Sequence, residues 1–337
     1  MGRCAEQSAA YGPTSRVWVS NVGESVMSGA RAKKVRKSEE ARPKSGKRPA
    51  AKTKRAPKSA YKLLAVDLDG TLLDHDGKPH EEDVRAIQAL MESGVPVAII
   101  TGRLYSGTRP TAEIVGIRGP VACADGSHVV RVETDETLVH HGIRGASARK
   151  LRDAVVRNEL ATFLFAEDAI VYDGAGEAYL PYLRTWSSDM RRAASIVDDP
   201  MWKAATGLTA VVALGPEAAI CAAVDDIHKG CRDKAQVSAF PVKRVPGNWG
   251  LIARASAGTK GTALEWLAEH HGCTLAETVT VGDWLNDVPM FAVSGRAFAM
   301  GQAPDVVKQV ATDVLEETSD GGGGIARVVA ECFGVSF

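Results

Sequence analysis

A run of four apolar residues, Leu63 to Val66, ends abruptly in Asp67-Leu68-Asp69-Gly70-Thr71. So short an uninterrupted run, bounded at once by polar residues, is the pattern of a parallel strand buried on both faces. Strand alternation sends the Asp67 and Asp69 side chains to the same side, and Gly70 lets the backbone turn sharply behind them. Two carboxylates that close repel by about 4 kcal/mol at an effective dielectric near 20. A cation, or the metal of an anionic ligand, therefore belongs to the site.

The unit repeats. A helix is expected from Glu82 to Ser93, with Val84, Ile87, Leu90 and Met91 on one face and Gly94 just past its end. Val95 to Ile100 forms a second apolar run ending in Thr101-Gly102-Arg103, and Gly119 to Ala122 a third, followed by Asp125-Gly126. Between about 145 and 253 the character changes to shorter pieces, Thr162 to Phe165, Ala169 to Tyr172, Ala210 to Leu214 and Trp249 to Ala253, between two helical patterns. Strand and helix alternation then resumes with a helix from Gly261 to His271, striped by Leu264, Leu267 and Ala268, and strands at Thr278 to Val281 and Arg296 to Met300. The pattern predicts an α/β chain: a doubly wound parallel sheet in two parts, 60–144 and 254–337, split by an inserted α+β domain at 145–253.

Ahead of this lies a segment of another kind. The zero formal net charge of the whole chain conceals 15 Lys and Arg against 4 Glu within residues 1–60, which leaves 26 basic and 37 acidic residues beyond it. From Ser28 to Lys58 large apolar side chains are nearly absent, so ordering entropy is not repaid and residues 1–59 are expected to be a disordered basic tail. A nucleic-acid contact is one reading of that tail and a solvated extension the preferred one; Met27 is also available as a translation start. The six cysteines form neither a CxxC pair nor any tight metal-type spacing, which argues against a zinc site or a disulfide framework and fits the reducing cytoplasm. No run approaches the ~20 apolar residues of a membrane helix.

Ligands of open α/β sheets bind beyond the carboxyl ends of the strands, so the residues directly after each apolar run carry the chemistry. Those are Asp67 and Asp69, then Thr101 with Gly102, then Asp283, Asn286 and Asp287. Oxygen ligands of this kind suit magnesium rather than zinc. Lys260 supplies a positive charge at a helix start, where backbone amides also favour anions. Together these make a phosphate site. A P-loop reading of Ala257-Gly258-Thr259-Lys260-Gly261-Thr262 fails, because the Gly-Lys-Ser/Thr order is absent.

Taken in order, DxDGT at Asp67 to Thr71, the hydroxyl of Thr101, Lys260, and GDxxND at Gly282 to Asp287 resemble the four motifs of the haloacid dehalogenase superfamily. Thr101-Gly102-Arg103, Ala299-Met300-Gly301 and the large insertion are similar to the Cof-like, sugar-phosphatase branch over about residues 61–330. The resemblance implies a Rossmann-like core with a cap, and a magnesium-dependent phosphatase acting on small phosphorylated metabolites. It implies Asp67 as nucleophile, Asp69 as general acid and base, Thr101, Gly102, Lys260 and Asn286 around the phosphate, and Asp67, Asp69, Asp283 and Asp287 around Mg2+. Asp125 stands where that branch usually has asparagine, and Trp284 where a small residue is common, which leaves the substrate contacts open. Arg103 reaches the substrate or pairs with an acid. Phe163, Phe165, Tyr179 and Tyr182 are assigned to the cap core, and His140 and His141 to the surface. Two other functions compete: a phosphotransferase resembling the phosphomannomutases, and a regulatory nucleic-acid-binding protein that uses the tail. Oligomeric state is not written in these patterns.

Overall fold

The computed structural model describes residues 18–19, 60–166, 168–184, 186–231, 234–242 and 247–337. Its centre is a five-stranded parallel sheet in the order Asp313–Val314, Arg296–Ala299, Thr278–Gly282, Leu63–Val66, Val97–Ile99. Alternation along Leu63–Val66 explains its uniform apolarity. Leu64 and Val66 face a cluster with Ile87 and Leu90 of the Glu81–Glu92 helix and Val328 and Val329 of the Gly324–Phe333 helix. Leu63 and Ala65 face the opposite cluster, with Leu264 and Leu267 of the Lys260–His270 helix. Both faces are covered, as a parallel sheet requires.

The first two predicted core helices each begin and end one residue earlier than expected, at Glu81–Glu92 and Lys260–His270. The second apolar run is a strand only over Val97–Ile99. Ile100 then makes a lone parallel bridge to Ala122, which attaches the Pro120–Cys123 strand to the sheet. That strand continues into an antiparallel hairpin of His128–Arg131 and Glu136–His140.

The inserted region forms a second sheet. It contains the four expected strands, Ala161–Ala166, Ala169–Tyr172, Ala210–Pro216 and Asn248–Ala255, and two more, Asp189–Arg192 and Ala235–Pro241. Trp18–Val19 pairs antiparallel with Ser238 and Ala239 at one edge. Residues 1–17 and 20–59, most of the predicted basic tail, lie outside the described residues. One face of the sheet is covered by the Gly145–Arg157 and Glu217–Cys231 helices, through Leu151, Val155, Ile220 and Ile227. The other face, with Phe163, Phe165 and Val212, packs on Leu104 and Ala124 from the strand-end turns of the parallel sheet. The inserted sheet thus roofs the end of the core where the sequence places its chemistry. Phe163 and Phe165 are buried in that interface, and Tyr179 is half-buried with its hydroxyl 3.0 Å from Asn248 Oδ1. The Tyr182 side chain is outside the described residues. No helix among the described residues is long and apolar enough to cross a membrane.

Candidate active site

At the carboxyl end of the central strands a buried ammonium is gripped by two carboxylates. Lys260 Nζ lies 2.6 Å from Asp67 Oδ1 and 2.6 Å from Asp287 Oδ1, with Lys260 1%, Asp67 4% and Asp287 0% exposed. Asp67 is fixed by its strand, its N–H donating to Val281 O at 3.0 Å. Lys260 is fixed by its helix, which begins at Lys260 itself. Thr259 caps that helix, its side chain accepting from Thr262 N while Thr262 Oγ1 accepts from Thr259 N. The one-residue shift of the helix start sets the lysine into the first turn rather than before it.

Asp287 spends both oxygens. Its Oδ1 accepts from Lys260, and its Oδ2 accepts from the backbone N–H groups of Asp283 and Trp284, each at 2.8 Å. The second carboxylate of the GDxxND motif therefore organises the loop that carries the first. Backbone space here is closely used. A Cβ on Gly70, whose φ is +76°, would stand 2.4 Å from Asp283 Oδ2, and one on Gly282 would stand 2.4 Å from Asp287 Cγ.

Oxygen atoms of Asp67, Asp283 and Asp287 all lie within 4.8 Å of one another. One ammonium faces three carboxylates, so the cluster carries an excess of about two negative charges when all are ionised. Burial, with Asp287 and Asp283 beside it, pushes the Asp67 carboxyl well above its ordinary value against the pull of Lys260. Burial and then Asp287 push Asp283 up to about 7. Burial alone would lower the Lys260 pKa, but Asp287 and Asp67 more than offset this and raise it. Asp283 Oδ1 is buried and has no hydrogen-bond partner among the described residues. A surplus of negative charge, hard oxygen donors and an orphaned carboxylate oxygen fit a divalent cation such as magnesium.

Thr101 is fully buried. Its N–H donates to Ala122 O at 2.8 Å, and its hydroxyl accepts from Arg103 N at 3.2 Å. Gly102 adjoins Asp125 and Asn286: a Cβ there would stand 3.3 Å from Asp125 Oδ1 and 3.7 Å from Asn286 Nδ2. Asn286 Nδ2 in turn donates to Asp125 Oδ1 at 2.8 Å. Asp69, largely exposed, is held by Arg103, whose Nη2 lies 2.5 Å from Oδ1 and whose Nε lies 2.8 Å from Oδ2. Of the two readings of Arg103, the structure shows the pairing with an acid. The predicted site residues thus converge on one end of the sheet.

Two contacts were not legible in the sequence. Gln302 Nε2 donates to Gly70 O at 2.5 Å, steadying the turn behind Asp67 and Asp69, and Arg254 pairs with Asp125 Oδ2 at 2.7 Å. Gln302 directly follows Ala299-Met300-Gly301, and Arg254 is the last residue but one of the Asn248–Ala255 strand, so each lies near a strand end, but nothing in the sequence pairs them with Gly70 and Asp125. His140 and His141, expected at the surface, are half-buried. His140 is held between the hairpin and the roof, its Nε2 3.0 Å from Thr209 Oγ1 and its ring edge-to-face with His128.

Residues 64–329 match the haloacid dehalogenase-like hydrolase family. Among curated proteins the chain is 25% identical over 271 residues to the pyridoxal phosphate phosphatase YbhA of Escherichia coli, covering 77% of this chain and 95% of that one. It is 25% identical over 264 residues to a phosphoglycolate phosphatase of Archaeoglobus fulgidus, covering 78% and 93%. It is also 25% identical over 279 residues to the 5-amino-6-(5-phospho-D-ribitylamino)uracil phosphatase YwtE of Bacillus subtilis, covering 77% and 95%. Among solved structures it resembles a haloacid dehalogenase-like hydrolase from Bacteroides thetaiotaomicron, with a TM-score of 0.70 at 21% identity over 81% of this chain and all of that one. A Thermotoga maritima protein gives a TM-score of 0.69 at 22% identity over 82% and 98%.

Proposed function

The chain belongs to the haloacid dehalogenase-like hydrolases, and on that premise we propose that it is a magnesium-dependent phosphatase of small phosphorylated metabolites with Asp67 as its nucleophile. The observation that carries this reading is the buried Asp67–Lys260–Asp287 arrangement, with Asp283 beside it, at the carboxyl end of the sheet. The curated relatives are named as phosphatases of chemically different small molecules. They support the reaction class and leave the substrate to the roof of this chain.

Asp67 attacks phosphorus as the bond to the leaving oxygen breaks, giving an aspartyl-phosphate and splitting one hard hydrolysis into two easier steps. Asp69 gives its proton to the departing alcohol, then takes a proton from the water that attacks the same phosphorus and frees Asp67. Arg103 holds the Asp69 carboxylate in one orientation between the steps. Lys260, protonated and anchored from behind by Asp287, offsets charge on the phosphoryl oxygens, while Thr101, Gly102 and Asn286 orient them. Asp67, Asp283 and the backbone carbonyl of Asp69 would hold Mg2+, with Asp287 acting through the loop it ties. When bound, the ion would neutralise phosphoryl charge and let the carboxylates stay ionised.

The test is a panel of phosphorylated metabolites and one small aryl phosphate, assayed with magnesium and with excess chelator. Release of inorganic phosphate that requires magnesium is expected. Calcium should suppress it, because its larger and looser shell misplaces oxygens needed in line. Full activity in chelator would remove the metal assignment, and an isomeric sugar phosphate with no free phosphate would indicate phosphotransfer instead.

A further inference from the structure

The Asn286 amide is set by a residue outside the four motifs. Only an N–H can face a carboxylate, so Asp125 Oδ1, 2.8 Å away, fixes which end of the Asn286 amide points towards it. One Asn286 N–H remains for a ligand, and Asn286 Oδ1 stays buried without a partner among the described residues. Asp125 itself is rigidly placed. Its backbone is in the left-handed region at φ +54°, its N–H donates to Thr101 O at 2.8 Å, and the turn it belongs to is wedged against the start of the Lys260 helix. A Cβ on neighbouring Gly126 would stand 2.5 Å from Thr259 O.

This puts a carboxylate, 7% exposed, beside residues that should receive a phosphate. An uncompensated negative charge there would oppose a phosphate dianion. Lys260 attracts Asp125 but is already gripped by Asp67 and Asp287, and the direct pairing comes from the roof. Arg254 Nη1 lies 2.7 Å from Asp125 Oδ2, with the two side chains 16% and 10% exposed. Arg254 belongs to the Asn248–Ala255 strand that returns from the inserted sheet to the core. Leu251 and Ala253 face the roof's own helices, whereas Ile252 packs on the cluster that includes Leu104 and Ala124. Alternation places Arg254 on the same core-facing side as Ile252. Its Nε is buried and has no partner among the described residues.

We infer that Arg254 is a positioning residue for phosphate binding: by pairing with Asp125 it cancels a carboxylate inside the phosphoryl pocket and locks the Asn286 amide, so that the pocket is complete only when the roof strand is docked. The inference deepens the phosphatase reading and rests on it. It also accounts for the aspartate at a position where asparagine would carry no charge and need no arginine.

Inorganic phosphate is the probe, because it fills the phosphoryl site without a leaving group. It is read as a competitive inhibitor of aryl phosphate hydrolysis by the full-length protein with magnesium. Arg254→Met should raise the phosphate Ki by about tenfold or more, the scale expected when one partner of a buried charge pair is removed. Asp125→Asn keeps an acceptor for Asn286 and frees the guanidinium, so its Ki should stay equal or fall. The double variant should return towards wild type. These signs separate the inference from a merely structural role, which would weaken phosphate binding in both single variants. If Arg254→Met does not fold, Arg254→Gln, which keeps much of the length and removes the charge, takes its place with the same expectation. The inference is overturned if Asp125→Asn weakens phosphate binding as much as the arginine variant does, or if the double variant is no better than the arginine variant alone. A wild-type protein that hydrolyses no phosphate ester overturns the phosphatase reading and this inference with it. An active wild type with an unaltered arginine variant overturns this inference alone.

Discussion

Asp67 combines two demands that burial sets against each other. As the proposed nucleophile it must be ionised to attack, yet burial and the Asp287 and Asp283 carboxylates favour its protonated form, and Lys260 at 2.6 Å pulls against them without cancelling them. Asp67→Asn keeps shape and bulk but removes the proposed nucleophile and its charge. It should leave the fold intact by circular dichroism and reduce turnover by many orders of magnitude; a rate above about one hundredth of wild type is incompatible with covalent catalysis by this residue. At this scale the sequence anticipated where residues that end an apolar run, such as Asp67, Thr101 and Asp283, would lie, because the strand end itself marks the position. Arg254 was not legible. Its partner Asp125 is 129 residues away in the chain, and only the docking of one sheet over the other brings them together.

Elements constrain the site through backbone space and through the side chains they bury. Gly70 lies in the left-handed region with Asp283 Oδ2 2.4 Å from where a Cβ would be, so Gly70→Ala must displace either the turn or the Asp283 carboxylate, a proposed magnesium ligand. A loss of about 1–3 kcal/mol in stability is expected from strain and overpacking, together with a lowered magnesium affinity. Unchanged melting and magnesium titration would refute it. The hairpin beside the core carries a different consequence. Burial, helped by His140, pushes the His128 imidazole down to about 4 from an ordinary 6.5. The folded state thus keeps His128 neutral where the unfolded chain takes up a proton, so stability rises with pH across this window. Its contribution is fully present above about pH 6.5 and lost as pH falls towards 4. At roughly 1.4 kcal/mol per pKa unit this amounts to about 3 kcal/mol. Urea melts of wild type and His128→Gln at several pH values should show a shallower acid loss in the variant, and identical slopes would exclude His128 as the cause. Periodicity placed the elements it named to within about two residues, but it named neither the Tyr105–Val115 and Gly324–Phe333 helices nor strands such as Ala235–Pro241 and Asp189–Arg192, the last with the sequence DMRR. The Asp189–Arg192 strand has a single apolar residue, Met190, to announce it, since it closes an edge of the sheet rather than its interior.

At the level of the whole molecule, the roof is inserted without interrupting the parallel sheet. Every strand of that sheet, and each of Asp67, Asp69, Thr101, Lys260, Asp283, Asn286 and Asp287, lies outside residues 144–254. Joining Ile143 to Ala255 through a short glycine-serine linker should therefore leave a folded core. Its cost is local: Leu104 and Ala124 lose the cover of Phe163, Phe165 and Val212, a modest apolar patch. Arg254 leaves with the roof, so Asp125 would stand unpaired beside the phosphate and the simple excision should bind phosphate poorly. Adding Asp125→Asn removes that charge while keeping an acceptor for Asn286. The expected result is an excised, Asp125→Asn protein that still hydrolyses a small aryl phosphate with magnesium but no longer ranks phosphorylated metabolites as the full protein does. Measuring kcat/KM over the same panel for both proteins decides the matter: a preserved ranking would place substrate choice in the core, and a lost ranking with surviving aryl phosphate hydrolysis places it in the roof.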